Sequence, residues 1–126
     1  MTEHTVPPAA LHDWVAALWL RAGSSATEAR LTADQLVGAN LSGHDSHGVG
    51  MVPRYVKSWL ANELQLNRHV AELSRSGSLL TLDGQRGMGP VMAFEAMELA
   101  IAMAREHGIC AMGLRNSHHI GRIGQW

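Results

Sequence analysis

Apolar residues fall in two rhythms along this chain, one helical and one strand-like. Leu11, Val15, Leu18 and Trp19 recur at helical spacing, and Gly23 closes that helix. Ser25-Ala-Thr-Glu28 has the capping-box pattern for a second helix, with Ala29, Ala33, Leu36, Val37 and Leu41 as its buried stripe. The segment 42–50, Ser-Gly-His-Asp-Ser-His-Gly-Val-Gly, is too polar for core. Pro53 suits the first turn of a third helix carrying Val52, Val56, Trp59 and Leu60 on one face.

The period then changes. Val70 to Leu73 and Ser78 to Leu82 read as short strands joined through Ser76-Gly77. A glycine-rich loop from Asp83 to Gly89 leads to Pro90, which opens a long helix to about Glu106. That helix is apolar on most sides and is expected to be buried. Gly108 ends it, and Ile109 to Leu114 reads as a parallel strand covered on both faces. Strand, helix and strand predict a right-handed βαβ unit. Asn116 to Trp126 reads as a loop and the start of another helix.

These elements predict an α/β fold, α+β within this stretch: a helical segment over 1–68, then the first part of an α/β domain over 69–126. The 126 residues suit one domain or part of a larger one. Ending one turn into a helix beyond a buried strand, the chain is expected to be the N-terminal fragment of a longer enzyme. With 46% apolar and 17% charged residues it is too apolar to be disordered. A net charge of -1 offers no general attraction to nucleic acid or to an acidic membrane surface. A single cysteine, Cys110, excludes an intrachain disulfide and suits a reducing compartment. No targeting segment or bilayer-length apolar run is visible, so a soluble, cytoplasmic protein is expected.

Histidine is the residue out of proportion. There are eight, and four fall in two pairs, His44 with His47 and His118 with His119. An imidazole titrates near neutrality and also ligates metals. In Gly43-His-Asp-Ser-His-Gly48 a serine beside a histidine suggests a polarised hydroxyl, whereas Asp45 could equally cap a turn. Asn116-Ser-His-His-Ile-Gly-Arg-Ile-Gly124 follows the carboxyl end of the expected parallel strand, where open α/β sheets place ligands. Gly121 and Gly124 would let a phosphate reach the backbone and Arg122 could neutralise it. The alternative is a polar loop before a closely packed helix. Gly84-Gln-Arg-Gly-Met-Gly89 is G-x-x-G-x-G rather than G-x-G-x-x-G, which argues against a Rossmann fingerprint and for a tight turn. A zinc site on the four histidines lacks a cysteine or carboxylate at a familiar ligand spacing, so no metal is assigned.

The run Leu41 to Tyr55, together with Leu79-Thr-Leu-Asp-Gly84 and Asn116 to Trp126, resembles the malate/L-lactate dehydrogenase family of non-Rossmann NAD(P)-dependent oxidoreductases. The last run is most similar to the hydroxycarboxylate dehydrogenase B branch. The resemblance implies a sulfolactate-dehydrogenase-like fold, homodimers and hydride transfer between NAD or NADP and a small 2-hydroxy or 2-oxo acid. It makes His119 the proton acceptor or donor, with Ser46 and His47 as a proton relay completed by an aspartate beyond residue 126. It makes His44 and Arg54 candidates for substrate binding, and His119, Ile120, Gly121, Arg122 and Ile123 for cofactor contact. Some relatives carry an arginine where this chain has Met51.

Overall fold

A computed structural model describes residues 5–122 and 124. Three helices come first: α1 (Pro8–Ala22), α2 (Ala26–Leu41) and α3 (Val52–Leu60). Strands β1 (Ala71–Ser76) and β2 (Leu79–Asp83), helix α4 (Gly89–His107) and strand β3 (Ala111–Arg115) follow. Local chemistry sets the boundaries. Gly23 and Gly108 take the left-handed conformation just past α1 and α4, at φ 105° and 81°, where a β-carbon would be strained.

The capping box at α2 forms by half. The Ser25 side chain accepts a hydrogen bond from the Glu28 backbone N–H at 3.2 Å. The Glu28 carboxylate, however, turns inward, accepting from the Ser24 hydroxyl at 2.7 Å and from the Asn67 N–H at 2.9 and 3.1 Å. Asn67 completes the exchange by accepting from the Ser25 N–H through Oδ1. A buried carboxylate needs such donors. Glu28 therefore fastens the start of α2 to the segment entering the sheet.

The sheet has the order β1-β2-β3, with β1 antiparallel to β2 and β2 parallel to β3. The β2–α4–β3 connection is the expected βαβ unit. Leu80 and Leu82 of β2 pack with Ala96 and Met103 of α4 in one core cluster. A larger cluster joins Val15 and Trp19 of α1, Ala33 and Leu36 of α2, Val52 and Tyr55 of α3, and Val91 and Met92 of α4. Full burial of each large apolar side chain there is worth about 1.5–3 kcal/mol. This core runs across residue 68, so the helical segment and the start of the α/β part share packing. No helix among the described residues is long and apolar enough to cross a membrane.

Three expectations are corrected. Leu41 and Leu60 are 68% and 73% exposed, because each is the last residue of its helix, where the stripe runs past its packing partners. On α3 the place expected for Leu60 is taken by Tyr55, which is completely buried. β3 is half-covered, with Met112 and Leu114 turned toward α4 and Ala111, Gly113 and Arg115 exposed. α4 buries one side and its first turns, leaving Ile101 and the last turn exposed. Residues 117–122 form the expected loop, and the helix start expected after them falls largely on residues 123, 125 and 126, which lie outside the described residues.

Candidate active site

Ser42 to Met51 connects α2 to α3 through two 3₁₀ turns, Asp45–His47 and Val49–Met51. Asn40, near the end of α2, shapes this connection. Its Nδ2 donates to Asp45 Oδ1 at 2.6 Å, and its Oδ1 accepts from the Val49 N–H at 2.8 Å. Gly48 lies directly over the Asn40 amide, and a β-carbon there would overlap it. The Asp45 side chain makes no capping hydrogen bond to this turn; Asn40 holds it instead, and the 3₁₀ turn that Asp45 begins presents Ser46 and His47 together. Ser46 Oγ lies 2.9 Å from His47 Nδ1, a hydrogen bond between neighbours in sequence.

Residues 116–122 leave the carboxyl end of β3 and pass over the start of α4. Asn116 is left-handed at φ 55°, and the His118 N–H donates to the Gly87 carbonyl at 3.3 Å. Gly89 lies under the turn so closely that a β-carbon would overlap the His119 carbonyl. Absence of a side chain at residue 89 thus lets the two histidines reach the helices. Asp83, at the end of β2, holds the base of the turn by accepting from Asn116 Nδ2 and Arg115 Nε. Its carboxyl is held below the usual range, first by the Gln85 N–H and then by Asn116.

The two histidine segments meet. The rings of His47 and His119 lie 5.1 Å apart, and those of His44 and His47 4.4 Å apart. Tyr55, buried on α3, packs edge-on against His118 at 5.0 Å and reaches His119 Nδ1 with its hydroxyl at 2.8 Å. Sequence reasoning missed Tyr55 and Asn40. The available signal for Tyr55 was its place one turn after Val52, since a buried phenol seeks a polar partner.

The electrostatics favour neutral imidazoles. Burial lowers the His119 pKa, helped by His47, His118 and Arg54. Burial likewise lowers His118, with Arg54 adding to it and Glu63 opposing. Burial raises the Tyr55 phenol far above its ordinary range, so the hydroxyl keeps its proton. Arg54 is exposed on α3 beside these groups, and its charge acts on all three.

The expected cofactor-contact residues are placed unevenly. Ile120, Gly121 and Arg122 are half-buried, and Ile123 lies outside the described residues. Arg122 donates through Nη1 to Ser42 Oγ at 2.7 Å and to the Gly38 carbonyl at 3.3 Å, so part of its fork holds the end of α2. Beside Gly121, the Gln35 amide is 4% exposed, and neither of its polar atoms has a partner among the described residues. A cavity of about 220 Å³ lies elsewhere, lined by Glu28, Asn67, His69 and Glu95 among others. Its carboxylates are already paired, Glu28 as above and Glu95 with His69 and the Val70 N–H. Among the described residues no three histidine, cysteine or acidic side chains converge as a metal-binding set.

The family model for malate/L-lactate dehydrogenase matches residues 6–126. The chain is 50% identical to hydroxycarboxylate dehydrogenase B of Escherichia coli over 123 residues, 98% of this chain and 34% of that protein. Among solved structures, malate dehydrogenase from Pyrococcus horikoshii superposes with a TM-score of 0.89 at 32% identity, over 94% of this chain and 34% of that one. Sulfolactate dehydrogenase from Methanocaldococcus jannaschii superposes with a TM-score of 0.87 at 29% identity, over 92% of this chain and 34% of that one. The fold is therefore the one these dehydrogenases share and not the classical Rossmann arrangement. The chain spans about a third of the length of the relatives it matches. By sequence and by fold, it belongs to the malate/L-lactate dehydrogenase family.

Proposed function

We propose that this chain supplies the proton-handling half of a dehydrogenase site that interconverts a 2-hydroxy and a 2-oxo carboxylate with a nicotinamide cofactor, NAD or NADP. The observation that carries this reading is the convergence of Ser46, His47 and His119 from segments about 70 residues apart. Oxidising an alcohol requires a base for the hydroxyl proton as hydride leaves the carbon. His119 suits that role because burial and neighbouring positive charge keep its imidazole neutral near pH 7. In the reverse direction its imidazolium returns the proton. Ser46 and His47 form the path along which that proton moves toward solvent.

Arg54 is the residue for the substrate carboxylate, because a guanidinium fork matches two carboxylate oxygens. His44, its ring tilted against that of His47 at 4.4 Å, lines the same side. For the nicotinamide group, the fit rests on the Gln35 amide, which has no partner among the described residues, beside the half-buried stretch from His119 to Arg122, with Ile123 next in sequence. The cofactor, when bound, carries the hydride, and the chain orients it and excludes water. The whole enzyme is proposed to be a homodimer acting on a small acid in the cytoplasm.

The test uses the full-length protein, screened against 2-oxo acids with NADH and NADPH. His119→Gln should lower turnover by about two to four orders of magnitude, the range of general acid–base help, with a smaller change in cofactor affinity. Turnover within a few-fold of the parent would remove His119 from the mechanism.

A further inference from the structure

We propose that Tyr55 is a positioning residue that fixes the tautomer of His119, placing the ring proton on Nδ1 and the reactive lone pair on Nε2. The inference deepens the reading of His119 as the base and rests on it. The Tyr55 hydroxyl meets two groups of the same residue, His119 Nδ1 at 2.8 Å and the His119 carbonyl oxygen at 3.2 Å. A phenol has one hydrogen to give, and a carbonyl can only accept. If the hydroxyl donated to Nδ1, its oxygen lone pairs would face the carbonyl oxygen without a proton between them. With the O–H directed to the carbonyl, both contacts are satisfied, and Nδ1 must then be the donor to the phenol oxygen. One backbone oxygen thereby selects the tautomer through one hydroxyl.

The surroundings make that choice firm. Tyr55 is completely buried in the core shared by α1, α2 and α4, so its hydroxyl cannot swing away to water. The His119 carbonyl is equally confined, since Gly89 lies against it. A base needs its lone pair where the substrate hydroxyl arrives, and an imidazole of the wrong tautomer offers an N–H there instead. The substrate proton would pass to Nε2, while Nδ1–H stays on the phenol oxygen. The developing imidazolium faces His47 from the turn after α2, Arg54 from α3 and His118 beside it, all of which disfavour positive charge on it. The Tyr55 oxygen, accepting from Nδ1–H, is the group that steadies it. Glu63 is a further acidic group in this neighbourhood, acting on His118.

The first experiment reads the tautomer directly in the full-length protein labelled with ¹⁵N-histidine, from two-bond nitrogen–proton correlations above the ring's titration. A protonated Nδ1 and bare Nε2 for His119 is the expected result; a protonated Nε2 overturns the proposal without any substitution. In Tyr55→Phe the tautomer should shift toward Nε2–H, kcat should fall about 10- to 100-fold and KM should stay within about 3-fold. The acid limb of the pH–rate profile should move as well. An unchanged kcat, or a loss confined to KM, overturns the positioning role. Replacing Tyr55 with 3-fluorotyrosine keeps the hydroxyl and should retain kcat within a few-fold; loss equal to that of the phenylalanine variant counts against the proposal. The two readings fail separately: full turnover in His119→Gln removes the base, whereas the nitrogen spectrum alone decides the tautomer.

Discussion

Two loops bring histidine to the same place by opposite means. The turn after α2 is exposed over most of its length and is held chiefly by side chains, Asn40 gripping Asp45 and Val49 and Arg122 reaching Ser42 at its start. The turn after β3 is half-buried and held through its backbone, by Gly87, by the bare surface of Gly89 and by Tyr55 against the His119 carbonyl. A side-chain clamp can be lost by one substitution while the chain path survives. A backbone fit cannot yield without moving the residues it positions. His119, the proposed base with its lowered pKa, sits on the backbone-held loop, and Ser46 and His47, the proposed relay, sit on the side-chain-held one.

The severest way to break the contrast is Gly89→Ala. The added methyl must displace the His118 and His119 backbone, and an error of about 1 Å in a reacting group costs on the order of 100-fold in rate. We expect at least that loss in kcat, with the far-UV circular dichroism retained; wild-type turnover would show that the turn after β3 is not fixed from below. Next comes the relay. Ser46→Ala and His47→Ala should each reduce kcat about 10- to 100-fold, and the double variant should cost little more than the worse single. Multiplicative losses would mean that the two side chains act separately.

Asn40→Ala should be milder. It strips partners from the Val49 N–H and Asp45, costing roughly 1–3 kcal/mol where the N–H stays covered, measurable by urea unfolding. It should reduce kcat less than Gly89→Ala does, because the loop it frees carries the proposed relay rather than the proposed base.

The smallest effect is a shift with pH. His118 and His119 bind protons less readily folded than unfolded, so the unfolded chain takes up more protons as pH falls below the ordinary histidine value of about 6.5. Stability should then fall with falling pH until the depressed folded pKa values are passed, and should be insensitive to these two groups above neutrality. For activity, the acid limb of alcohol oxidation should lie below the value of a free imidazole. Arg54→Gln removes one lowering charge from His119, moving that limb upward while raising KM for the carboxylate substrate. A limb that stays put would separate Arg54 from the base.

How much of this was legible in the sequence differs between the same two loops. Helix ends marked by Gly23, Gly108 and Ser25 were local decisions, as were the turn at Gly77 and the βαβ order, and the structure keeps them. Leu41 and Leu60 looked like core because periodicity does not register where a packing partner ends. β3 looked covered on both faces because an apolar run records composition, whereas cover depends on what lies across from it. For the site, Ser46 and His47 were readable as neighbours. The reach of His119 to Tyr55 was not, since it depends on a contact between residues 64 apart and on the space left at Gly89.

That last separation also orders events in time. The β1–β2 hairpin and the four helices close through short loops and can form within microseconds. The parallel pairing of β2 with β3 must wait for the α4 crossover, and the phenol–imidazole contact must wait for both, because distant contacts bear the larger loss of chain freedom. A refolding chain should therefore recover its helical signal before the tyrosine environment around residue 55 becomes native. Newly made protein would pass through an interval in which it is shaped but not yet competent, with His119 still free to wander.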